Sequence, residues 1–213
     1  MDIILNDREV RVLGCLMEKA MATPEYYPLS LNALTNACNQ KSNRDPVVDW
    51  EDVTVQKALD DLEEKGLVNR STVGRVPKYE ETFTRRHNMV ASEAAALCVL
   101  LLRGPQTAGA IRSRSDRLYA FDSLEALQAT LDRLEEWSHI RRLPRLPGHK
   151  ESRYAHLLAG EPEGSDAVSQ TAAGVSAPEH ADRLAHVEDE IRLLKSELAD
   201  LRAAFDKFRR QFE

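Results

Sequence analysis

The feature that most constrains this chain is a segment that occurs twice. Leu59-Asp60-Asp61-Leu62-Glu63-Glu64-Lys65-Gly66-Leu67-Val68-Asn69-Arg70 returns 72 residues later as Leu131-Asp132-Arg133-Leu134-Glu135-Glu136-Trp137-Ser138-His139-Ile140-Arg141-Arg142. After each copy the chain runs through a basic, proline-bearing stretch into a strand-like aromatic segment. That segment is Lys78-Tyr79-Glu80 in the first copy and Arg153-Tyr154-Ala155 in the second. A repeat of this length implies two copies of one small domain.

Each copy reads as three helices followed by a two-stranded ribbon. In the first, Asn6 or Asp7 caps a helix with Glu9 in its first turn, where the helix dipole favours a carboxylate. Val10, Leu13, Met17 and Ala20 share one helical face, and Thr23-Pro24 ends the helix. Ser30 caps a short second helix carrying Leu31, Leu34 and Cys38. A polar turn, Asn39 to Asp49, leads to a third helix from Glu51 to Lys65, with Val55, Leu59 and Leu62 inward and Gly66 as its stop. Leu67-Val68 and Lys78 to Phe83 are the expected strands, joined through Val73 to Pro77. In the second copy Ser92 and Glu93 start a helix that Gly104-Pro105 breaks after Arg103, and a short helix follows from Ala108 to Ser113. Ser123 caps a third helix carrying Leu124, Leu127, Leu131 and Leu134; the ribbon uses Ile140 to Leu143 and Tyr154 to Leu158, with Pro144 to Lys150 at its tip. The expected fold is therefore mainly α with small β wings (α+β), as two tandem winged-helix domains over 1–88 and 89–158.

Beyond them the composition changes. Residues 159–178 are small, polar and breaker-rich, as in a flexible linker. In 179–213 the apolar residues Leu184, Val187, Ile191, Leu194, Leu198, Leu201, Phe205, Phe208 and Phe212 step by three and four, the spacing of a C-terminal coiled-coil helix. The first eight are the candidate dimerisation residues. In a parallel pair Arg183 faces Glu188, Glu190 faces Lys195 and Glu197 faces Arg202, all opposite in sign, so a parallel homodimer is expected. The same stripe also suits an amphipathic helix lying on its own domains. The linker and a tail whose core needs a second chain account for a hydrophobic share of only 42% over 213 residues.

Charge is unevenly distributed. The net of −6 hides acidic third helices, six carboxylates against Lys57 and Lys65 between Glu51 and Gly66, and basic ribbons. Asn69 to Arg86 carries Arg70, Arg75, Lys78, Arg85 and Arg86 against two glutamates. Arg141 to Arg153 carries Arg141, Arg142, Arg145, Lys150 and Arg153 against Glu151, and Arg112, Arg114 and Arg117 precede the third helix of the second copy. Phosphate attraction supplies most non-specific DNA affinity, so wings and turns, not the acidic helices, are the expected contact points. In the turn Asn39 to Pro46, Asn43 can read adenine edges while Lys41 and Arg44 reach phosphates. A long turn bonding its own backbone is the other reading of that stretch. The candidate nucleic-acid-binding residues are thus Lys41, Asn43, Arg44, Arg70, Arg75, Lys78, Arg112, Arg114, Arg141, Arg142, Arg145, Lys150 and Arg153.

The stretch Thr23-Pro24-Glu25-Tyr26-Tyr27-Pro28-Leu29-Ser30-Leu31-Asn32-Ala33-Leu34, running into Ala37-Cys38-Asn39-Gln40-Lys41-Ser42-Asn43-Arg44-Asp45-Pro46-Val47, resembles the signature of the YceH-like family of uncharacterised bacterial proteins. The resemblance covers Asn6 to Leu158 and implies tandem winged helices in a bacterial cytosolic protein, without supplying an activity. Catalytic motifs are missing: the six histidines show no H-E-x-x-H, and there is no G-x-S-x-G, P-loop or G-x-G-x-x-G. Cys15, Cys38 and Cys98 lack metal or disulfide spacing and read as small reduced core residues. The longest apolar run, Ala94 to Leu102, is about half a membrane span. Met1 to Asp7 has neither the basic nor the apolar region of a signal peptide, so the expected compartment is the cytoplasm. The expected protein is non-enzymatic, needs no metal or cofactor, and contacts double-stranded DNA as a regulator or chromosome-associated factor. The alternative is a scaffold whose winged helices hold a partner protein segment without touching nucleic acid.

Overall fold

The computed structural model describes residues 4–145 and 151–161. Lys150, most of the expected linker and the whole heptad stripe from Leu184 to Phe212 lie outside the described residues. Within them the architecture is α+β, with helices joined to two small antiparallel sheets.

The first half opens with α1 (Asp7–Ala22), capped by the Asn6 side chain, which accepts the Glu9 N–H, while Glu9 accepts the Asn6 N–H at 2.7 Å. This reciprocal pair satisfies two helix-end donors. Then come β1 (Leu29–Ser30), α2 (Leu31–Cys38), α3 (Asp52–Glu64), β2 (Val68–Ser71), β3 (Lys78–Glu81) and the short α4 (Phe83–Arg86). The second half repeats the order as α5 (Ala91–Arg103), β4 (Gln106–Thr107), α6 (Ala108–Ser115), α7 (Leu124–Glu136), β5 (Ile140–Arg142) and β6 (Arg153–His156). Ser30 and Thr107 cap the second helix of each half, accepting the N–H of Ala33 and of Ala110.

The repeat is legible atom by atom. Helix α3 ends where the Leu67 N–H reaches the Leu62 carbonyl at 2.9 Å, and α7 where the His139 N–H reaches Leu134 at 2.9 Å. The turning residues are Gly66 (φ 67°) and Ser138 (φ 57°), both left-handed. Glycine adopts that geometry freely and serine at a cost. In each half a glutamine of the third helix meets the tyrosine of the ribbon: Tyr79 Oη donates to Gln56 at 3.1 Å, and Gln128 donates to Tyr154 Oη at 2.9 Å.

Three expectations are corrected. Each ribbon has a third strand: β1 pairs with β3 and β4 with β6, giving the orders β1-β3-β2 and β4-β6-β5. Two-residue strands are too short to show alternation in sequence. Phe83 does not extend β3; the Glu81 carboxylate accepts the Thr84 N–H at 2.9 Å, turns the chain into α4, and Phe83 is buried. Helix α5 starts before Ser92, because Glu93 accepts the Val90 N–H at 3.0 Å and so makes Val90 the cap.

The two halves share one hydrophobic core. Every residue of α1 from Glu9 to Met17 and of α5 from Glu93 to Leu102 is buried, and the two helices lie against each other at Gly14. Cys15, Cys38 and Cys98 are free thiols in this core. The buried carboxylates are paired: Glu9 with Lys65, and Glu93 with Arg133 at 3.2 Å. Among the described residues no helix is long and apolar enough to cross a membrane.

The buried His139 and the half-buried His156 set a pH dependence. His139 packs edge-on to His87 with ring centroids 5.0 Å apart, and the Nδ1 atoms of His139 and His156 have no hydrogen-bond partner. Burial, and for His139 also the neighbouring His87, pushes both down to about 4. Both therefore fold neutral, while the unfolded chain binds protons from the ordinary value near 6.5. Stability is complete above pH 6.5 and declines toward pH 4, each imidazole adding a slope of about 1.4 kcal/mol per pH unit. Urea unfolding at pH 7, 6 and 5 reads this slope, and His139→Leu lowers it by one proton; an unchanged slope contradicts the assignment.

Candidate functional site

The basic residues sit in two settings, the ribbons and the seam between the halves. In the first ribbon Arg70 is paired with Tyr79 and Ser71 with Lys78. Paired residues share a face and neighbours alternate, so Arg70 and Lys78 emerge on opposite faces. Both are exposed, as is Arg75 in the connection. In the second ribbon Arg141 is paired with Ala155 and Arg142 with Tyr154, so these arginines also diverge. Arg142 and Arg145 are exposed and Arg153 is half-buried. Arg141 forms an ion pair with Glu161, which reduces what it offers a ligand. Among the described residues, Arg70, Arg75, Lys78, Arg142, Arg145 and Arg153 form no ion pair with a carboxylate. The third helices between these ribbons keep their carboxylates outward, with Asp52, Asp60, Glu63 and Glu64 on α3 and Glu125, Asp132 and Glu136 on α7 all exposed.

Two expected contact residues are engaged by the protein itself, Arg44 in its interior and the half-buried Arg112 at its surface. Arg44 is 5% exposed, and its guanidinium grips Glu18 through both oxygens, at 3.0 and 2.6 Å, while Nε donates to the Ala37 carbonyl at 3.0 Å. Burial opposes its charge, but the Glu18 carboxylate outweighs burial and holds the guanidinium above its ordinary value. Arg44 is corrected from a phosphate contact to a structural clasp. Arg112 likewise donates to the Phe121 and Asp122 carbonyls at 3.3 and 3.2 Å, bracing the loop before α7. Arg11, in the middle of α1, completes the clasp by donating to the Pro46 carbonyl at 2.6 Å.

The polar turn from Asn39 to Asp49 is consequently docked. Asn39 bonds the Trp50 backbone in both directions, at 2.8 and 2.9 Å. The Asp45 N–H donates to the Leu102 carbonyl at 2.9 Å, and Arg103 donates to Asn43 Oδ1 at 2.6 Å. The turn of the first half is thus tied to the end of α5 in the second. Between them opens a pocket of about 480 Å3, lined by Lys19, Lys41, Asn43, Arg103, Arg114 and Arg117, with Val99, Leu102 and Leu118 as apolar wall. Glu18 is the one carboxylate lining it. The structure therefore gathers Lys41, Asn43 and Arg114 here, with Arg114 held by Gln106 of β4. Lys19 and Arg103 were not among the sequence candidates, because each looks like an ordinary helix-end cation until the halves are brought together.

Comparison with known proteins finds relatives of this chain. Residues 5–149 match the family described as "Protein of unknown function, DUF480". The chain is 50% identical to a UPF0502 protein of Solibacter usitatus and 49% identical to UPF0502 protein GSU0233 of Geobacter sulfurreducens, in both cases over all of both chains. It is 46% identical to UPF0502 protein azo0627 of Azoarcus sp., over 98% of this chain and 94% of that one.

Proposed function

We propose, for a chain that belongs to the DUF480 family of proteins of unknown function, that each half is a winged helix and that the two ribbons hold the phosphate backbone of double-stranded DNA. The protein then acts as a non-enzymatic regulator or chromosome-associated factor in the cytoplasm, dimerised through a coiled coil over 179–213. The observation that carries this reading is the set of ribbon cations that, among the described residues, have no carboxylate partner: Arg70, Arg75, Lys78, Arg142, Arg145 and Arg153. Each cation that neutralises a phosphate releases counterions condensed on the polyphosphate chain, which favours binding. The acidic third helices favour backbone contact by the wings over insertion of a helix into the major groove. They also favour the second reading, a scaffold that grips a basic protein segment through α3 and α7.

Fluorescence anisotropy with a random-sequence duplex separates the two. If about six phosphates are neutralised, log K falls against log salt with a slope of about −5. The variant R75A/R142A/R145A makes that slope shallower by about 2–3. The bound species sediments as a dimer, and deletion of 179–213 returns it to a monomer. No binding at about 50 mM salt, where electrostatic affinity is strongest, overturns the DNA reading in favour of the scaffold.

A further inference from the structure

We infer that the pocket at the seam of the two halves is a binding site for a small organic phosphate. Five cations, Lys19, Lys41, Arg103, Arg114 and Arg117, surround a concavity of about 480 Å3. Their one lining carboxylate, Glu18, is held through both oxygens by the buried Arg44, at 3.0 and 2.6 Å, with Lys19 3.4 Å away, so it opposes little of the remaining charge. Arg103 and Arg114 are oriented by neutral amides, Asn43 and Gln106, which position a guanidinium without cancelling its charge. Lys41 and Arg117 make no hydrogen bond or ion pair among the described residues. A cleft lined by one sign of charge focuses its field into the space between. Burial first, and then the nearby Arg114, lower the proton affinity of Arg103, against the pull of Asp45 and Glu18.

The chemistry selects the ligand class. Planar guanidinium forks match phosphate oxygens in pairs, and a phosphate brings close to two charges and several acceptors, which a single carboxylate does not. The volume falls within the range of small-molecule sites, roughly 300–1,000 Å3, and exceeds what a bare phosphate fills. Val99, Leu102 and Leu118 offer a carbon skeleton its apolar wall. Lys19 and Lys41 come from the first half and Arg103, Arg114 and Arg117 from the second, so an anion in the pocket fastens the halves together. This inference stands apart from the DNA reading, which rests on the ribbons.

Isothermal titration of the full chain with phenyl phosphate, and separately with inorganic pyrophosphate, tests it. One saturable site per chain is expected for both probes. Phenyl phosphate binding weakens at least tenfold in K41Q/R117Q, two positions whose side chains support nothing else, and is lost in L118E, which sets a carboxylate on the wall. The ribbon variant R75A/R142A retains the site and serves as the folded control. Absence of a saturable site, or equal affinity in K41Q/R117Q, overturns the proposal. So does stoichiometric displacement of phenyl phosphate by duplex DNA from R75A/R142A, which assigns the pocket to a DNA phosphate.

Discussion

Replacing Arg44 by methionine destabilises the protein by about 3–5 kcal/mol, because it leaves a buried carboxylate without its partner. The Arg44 side chain is fully buried and that of Glu18 is 11% exposed. Lys19, 3.4 Å from Glu18, is too exposed to replace a two-pronged clasp. Removing both charges together is far milder than removing the arginine alone, since an apolar pair avoids the desolvation that the ion pair requires. E18M/R44M is therefore expected to recover much of the loss, short of what Arg44 contributes through the Ala37 and Asn43 carbonyls. Urea unfolding of the two variants measures this, and a double variant no more stable than R44M would contradict it. The pair also has its own pH signature. Burial raises the Glu18 pKa, but the Arg44 bonds dominate and hold the group below the usual carboxylate range. Its contribution is complete above the unfolded value near pH 4.3 and is lost as pH falls through the folded one, an interval below that of the histidines.

Gly14→Val costs about 1–3 kcal/mol through overpacking, despite the better helix propensity of valine. A Cβ at this position stands 2.9 Å from Leu102 Cδ2 and 3.1 Å from Leu101 Cβ. The leucine tip can turn away, but the Leu101 Cβ moves only with its backbone, so α1 and α5 must separate. Gly14→Ala is the milder case, in which the clash and about 1 kcal/mol of helix propensity oppose each other. Because α5 also carries Arg103 to the pocket, the valine variant weakens phenyl phosphate binding as well as stability. Thermal unfolding with and without the probe checks both, and a variant as stable as the native chain rules out close packing at Gly14.

Elements carried by strong local signals were legible in the sequence. The stripe Val55, Leu59 and Leu62 with Gly66 behind it gave α3 within a residue at each end, and its copy gave α7. What escaped depended on residues distant in the chain. Strands β1 and β4 exist because β3 and β6 supply their partners, and two residues carry no period of their own. Arg44 read as a surface cation because its partner Glu18 lies 26 positions away on another helix. The pocket escaped for the same reason, its cations being spread from Lys19 to Arg117. The apolar run Ala94 to Leu102, too short for a bilayer, marks a helix with no solvent face, which must be enclosed by protein on all sides.

That enclosed helix makes the unit of repetition differ from the unit of folding. Cut after residue 88, the first copy would lose α5 and expose the side of α1 that α5 covers, while the second copy would carry an unshielded greasy rod. Neither fragment holds a closed core, so the described halves should melt in one cooperative step, and excised copies should aggregate. The two copies are in this way expected to fold only together.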